Sequence, residues 1–86
     1  MDTLTAAELL AVPADLSLRS LRGWTAGVRL YVLGFAPASP ERVAAIEEAR
    51  RQVGYAGWII RKTSPKAVAF LGEQHALLGN LTQTIV

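Results

Sequence analysis

The segment Val28-Arg29-Leu30-Tyr31-Val32-Leu33-Gly34-Phe35 decides the fold, because its apolar residues fall on both alternating faces and β-branched or aromatic side chains recur along it. That composition predicts a strand buried on both sides, in the middle of a sheet. Beyond Ala36-Pro37-Ala38, Ser39 supplies a helix cap and Pro40 the first helical position, where its missing N–H and fixed φ cost nothing. The helix so begun is expected to run to about Val53. Val43, Ile46, Ala49 and Val53 form its inward stripe, Glu47 faces Arg50 and Arg51 at i+3 and i+4, and Gly54 closes it.

The same device returns 25 positions later: Ser39-Pro40-Glu41-Arg42-Val43-Ala44 is echoed by Ser64-Pro65-Lys66-Ala67-Val68-Ala69, and Gly54 by Gly79. Trp58-Ile59-Ile60-Arg61 precedes the second copy and reads as a second strand. Leu81 to Val86 follows it and alternates weakly, as an edge strand does. The second helix carries Val68, Leu71 and Leu78 on one stripe, with Phe70 and Leu77 on a neighbouring one. Strand, helix, strand, helix, strand with short connections predicts an α/β fold with right-handed crossovers and a mostly parallel three-stranded sheet. The alternative makes a strand of residues 66–71, paired with 58–62 through Thr63-Ser64-Pro65, and gives a ferredoxin-like α+β sandwich.

Ahead of these units, Thr5-Ala6-Ala7-Glu8 matches a capping box, so a short helix should start there and end before Pro13. Asp15 to Gly23 reads either as a two-turn helix capped by Asp15, with Leu18 and Leu21 inward, or as a short strand through Leu16-Ser17-Leu18. The whole is one domain: a helical and turn segment over 1–26, then two β-α units and a last strand over 27–86.

Under the ferredoxin-like alternative, Tyr31-Val32-Leu33-Gly34-Phe35, a helix, then Gly54-Tyr55-Ala56-Gly57-Trp58-Ile59-Ile60 resembles the first half of a SPOR domain, a small peptidoglycan-binding module. The likeness covers less than half of the chain. It implies an envelope location, its second half has no counterpart here, and it is not adopted.

Composition narrows function more than it names it. At 86 residues the chain buries only about 60% of its unfolded surface, which leaves stability marginal. Yet 51% of residues are hydrophobic, mean hydropathy is +0.28, and 19% are charged where about 25% is usual. Such a chain is expected to keep an apolar surface for contact. With no cysteine there is no disulfide, thiolate nucleophile or thiol metal site, and a reducing cytoplasm is the expected location. The acid at Asp2 and the short apolar runs point away from a secretory signal and from a membrane span. A net charge of +2 is too small for bulk attraction to nucleic acid.

No cofactor or catalytic set is implied. His75 is the single histidine, without metal-ligand spacing around it, and no serine sits in a nucleophile elbow. The expected function is therefore a small non-enzymatic protein-contact module, a homo-oligomer or an accessory subunit, with Trp24, Tyr31, Phe35, Trp58, Phe70 and Ile85 as interface residues. The second reading is a phosphate, nucleotide or nucleic-acid site at the start of the second helix, where Arg61, Lys62, Ser64 and Lys66 bring cations and a hydroxyl beside free helix amides.

Overall fold

A computed structural model describes residues 5–83, with side chains to 81, and these residues form four helices and no strand. They are α1 (Ala6–Leu10), α2 (Leu18–Leu33), α3 (Pro40–Ile60) and α4 (Pro65–Gln83). The three-stranded α/β fold is overturned, and the ferredoxin-like sandwich and the SPOR likeness, which also need strands, go with it. The first expected strand lies mostly inside α2, the second is the last turn of α3, and residues 81–83 close α4. Ile85 and the rest of the expected edge strand lie outside the described residues.

The physical reason is plain in α2. Leu21, Thr25, Val28 and Val32 are its buried residues, a helical stripe. The strand-like look of the segment comes from Leu30 and Leu33, which are apolar yet 73% and 46% exposed. A valine in a helix costs about 0.5 kcal/mol relative to alanine, whereas burying one contributes about 1.5–3 kcal/mol, so packing decides. In α3 the glycines at 54 and 57 do not end the helix. Val53, Ala56 and Ile60 are all buried at helical spacing, and that burial carries the chain through Gly54-Tyr55-Ala56-Gly57, which reads locally as a turn.

The helix starts expected at Thr5, Ser39 and Ser64 hold, whereas Gly79, like Gly54, lies inside its helix and does not end it. Glu8 N–H donates to Thr5 Oγ1 and Thr5 N–H to the Glu8 carboxylate, each at 3.2 Å. Arg42 N–H donates to Ser39 Oγ at 3.1 Å at the head of α3, and α4 begins at the second Ser-Pro. At α2 the cap is Ser17 rather than Asp15, accepting from Ser20 N–H at 3.1 Å. Asp15 instead accepts from the Ser20 hydroxyl (2.9 Å) and from Ser17, which holds its carboxyl below the usual range. Its support of the start of α2 is therefore complete above the ordinary carboxylate range and is lost as pH falls through the lowered pKa.

Helices α3 and α4, joined by a short turn, form an antiparallel hairpin. Ala45, Ile46, Ala49, Val53, Ala56 and Ile60 of α3 meet Ala67, Leu71 and Leu78 of α4, and α2 lays Leu21, Val28 and Val32 into the same core. Two arginines tie α2 in place. Arg29 donates to the buried side-chain oxygen of Gln74 on α4. Arg42, only 7% exposed, donates through Nε to Phe35 O at 3.0 Å and through Nη2 to Leu33 O at 2.9 Å and to Phe35 O. A cation thus sits on the carbonyls that end α2, where the helix dipole is negative. The smallest dimension is only 16 Å, about two helix layers, so every helix keeps an outer face.

Two outcomes are expected in chemical unfolding. Arg42→Met should cost about 2–3 kcal/mol, because it removes a buried guanidinium's charged hydrogen bonds to the partly buried carbonyls of Leu33 and Phe35. Gly54→Ala and Gly72→Ala should each stabilise by about 1 kcal/mol, since an added Cβ meets nothing within 4 Å at either helical position. A loss of stability in either alanine variant would contradict the packing described.

Candidate functional site

The outer face of α3 follows from its inner one. Ala56 and Ile60 point to the core, and Trp58, two positions from each, stands about 200° round the helix from both. It is 60% exposed, with Tyr55 at 55% and Ile59 at 39% beside it. The rings of Tyr55 and Trp58 stack with centroids 6.4 Å apart and planes at 16°, and the Arg61 guanidinium lies 5.3 Å from the Trp58 ring centroid. Residues 55, 58 and 61 are spaced by three, so tyrosine, tryptophan and arginine form one column down the helix. A shallow hollow of about 300 Å³ opens at its end, lined by Trp58, Ile59, Arg61 and Lys62.

Towards the head of α3 the face turns polar. Arg51 donates to both carboxylate oxygens of Glu48, at 3.1 Å through Nε, and Gln52 donates to Glu48 at 2.9 Å. These bonds, Arg51 first, hold the Glu48 carboxyl below its usual range. The ion pair is thus Glu48 with Arg51, not the pairing of Glu47 expected from spacing.

The expected interface aromatics separate into two groups. Trp24, Tyr31, Phe35 and Phe70 are partly buried against the core, and Tyr31 meets Phe35 edge to face at 5.2 Å. Trp58 stands on the surface with Tyr55 and Ile59. The signal for those two is an apolar residue out of phase with the buried stripe, and it also marks Leu30, Leu33 and Leu77.

Of the expected anion set, Arg61, Lys62 and Lys66 are exposed around the α3–α4 turn and Ser64 is half-buried. The turn is closed by Thr63 and Ser64 N–H groups donating to Ile60 O at 2.9 and 3.0 Å. A second depression of about 230 Å³ lies between α3 and α4, lined by Val53, Gly54, Gly57, Val68, Leu71, Gly72 and His75. Near it Arg50 crosses to α4, where its guanidinium carbon lies 3.4 Å from the place a Cβ on Gly79 would take.

Among the described residues no three His, Asp or Glu side chains gather as a metal site, and no helix is long and apolar enough to cross a membrane. No protein-family model, curated protein or solved structure matches this chain. The surface chemistry is therefore the guide to function.

The two tryptophans make the geometry measurable. In a Trp24→Phe variant, the remaining Trp58 should emit as a solvent-exposed indole and be quenched by acrylamide several-fold more strongly than Trp24 in a Trp58→Phe variant. Equal quenching would contradict the outward placement of Trp58.

Proposed function

We propose that the protein is a non-enzymatic contact module that binds a protein partner through the outer face of α3, with Tyr55, Trp58 and Ile59 as apolar anchors and Arg61 and Lys62 at their edge. The observation that carries this reading is the column of Tyr55, Trp58 and Arg61 on the solvent side of a helix whose opposite side is buried in the core. Tryptophan, tyrosine and arginine dominate binding hot spots, because each offers a large contact area at modest conformational cost. Seating on a helix fixed by its other face reduces the ordering cost of association further. A subunit of a larger assembly or a homo-oligomer would use the face alike.

A second reading takes Arg61, Lys62 and Lys66 as a site for a phosphorylated ligand or nucleic acid, and their common exposure around one turn favours it. Salt separates the two readings. Binding led by phosphate weakens steeply as salt rises, whereas apolar contact holds or strengthens.

Placing a photo-crosslinking phenylalanine derivative at Gly54, exposed on α3 one turn before Trp58, in cells that make the protein, should give a discrete protein adduct. The same replacement at Ala44, exposed in the other half of α3, should give none. Adducts of equal yield from both positions, or from neither, would remove this face from consideration.

A further inference from the structure

We propose that the occupant of the α3 face is an acidic peptide segment of another protein, with carboxylates beside an aliphatic or aromatic anchor. The proposal rests on the reading of this face as a protein-contact surface and adds the chemistry of the partner. Between Glu48 and Glu73 the chain has no acidic residue, but it has Arg50, Arg51, Arg61, Lys62 and Lys66. Two of these five are set apart from the free cations: Arg51 is paired with Glu48, and Arg50 is folded across Gly79 on α4, its Nε buried without a hydrogen-bond partner. Arg61, Lys62 and Lys66 remain exposed and have no carboxylate partner among the described residues. All three sit at the end of α3 that carries Trp58 and Ile59, beside the positive end of the α4 dipole.

The hollow joins both halves of the requirement. Trp58 and Ile59 supply apolar wall, and Arg61 and Lys62 supply charge to the same depression. A neutral apolar segment would bury the arginine and lysine heads without partners, and a basic one would meet like charge, which costs several kcal/mol at an interface. An acidic segment with one apolar anchor satisfies both walls.

Other occupants fit less well. A second copy would offer Glu41 and Glu47 on α3 with only Ala44 exposed between them, or Glu73 on α4 beside Leu77, which is a single carboxylate for three cations. A nucleic-acid base would compete with Tyr55 and Arg61 for the Trp58 ring and would have the outer face of Tyr55 alone to stack on, where single-strand binders offer several aromatics.

The test is selection of a random linear peptide library on the full chain, counter-selected on Trp58→Ala. The expected result is enrichment of Asp- and Glu-rich peptides around a Leu, Phe or Trp. A synthesised member should bind about tenfold or more weakly to Lys62→Glu/Lys66→Glu, lose affinity as salt rises, and fail to bind Trp58→Ala, while far-UV circular dichroism shows both variants folded. Enrichment of neutral or basic peptides that still depend on Trp58 would overturn the acidic partner and leave the contact face standing. No enrichment, or peptides indifferent to Trp58→Ala, would overturn both. Tighter Trp58-dependent binding to phosphatidylserine vesicles or single-stranded DNA would replace the peptide with a lipid surface or a nucleic acid. Trp58-dependent self-association of the chain alone in native mass spectrometry would replace it with a second copy.

Discussion

The close seam between α3 and α4 is the constraint on which the remaining architecture depends. Ala45, Ala49 and Ala56 on one helix and Ala67 on the other are all buried, and their small side chains let the two backbones approach while Val53, Ile60, Leu71 and Leu78 fill the space between. Beside this seam Arg50 folds across Gly79, its guanidinium carbon 3.4 Å from the place of a Cβ, an ordinary packing distance. Only with that hairpin formed does α2 have a surface to lie on. Its fixing is polar as well as apolar, through Arg29 on Gln74 and Arg42 on the final carbonyls of the helix. A slab this thin cannot bury every apolar residue of so apolar a chain, and the surplus emerges on outer helix faces.

What was legible in the sequence was punctuation. Thr5 with Glu8, Ser39-Pro40 and Ser64-Pro65 start helices where their chemistry says they should, because a cap is satisfied by neighbours a few residues away. The echo at 25 positions marks two paired helices, rather than two strand-helix units. Strand against helix depended on distant packing. Leu30, Leu33, Trp58 and Ile59 are apolar at positions where a helix buried on one side would carry polar residues, so they erase the 3.6-residue period and leave a continuous apolar run. Gly54 and Gly57 compound this, because local propensity reads them as a turn while the burial of Ala56 and Ile60 keeps the helix intact.

The misreading and the candidate site share a cause. The residues that disguise α3 as turn and strand are the ones its fold leaves in water, and Trp58 with Tyr55 and Ile59 forms a contiguous patch of them. Arg61, Lys62 and Lys66 were legible as a cationic group from sequence alone. Their setting beside an aromatic column was not, because it required α3 to continue through residue 60. Charge and apolar surface meet at one end of the hairpin, while Glu41 and Glu47 lie towards the other end of α3, so the helix is polarised along its length.

The central claim is that the outer face of α3 serves contact and not folding, and thermal unfolding of a Tyr55→Ser/Trp58→Ser/Ile59→Ser variant tests it most directly. Serine has about the helix propensity of the residues replaced, and one exposed ring stack and one cation–π contact are worth about 0.5–1 kcal/mol each. The account predicts a cooperative transition whose midpoint falls by less than about 16 °C. Loss of cooperativity, or a fall beyond about 20 °C of the kind a truncated core residue causes, would show that this face holds the fold together and would contradict the account.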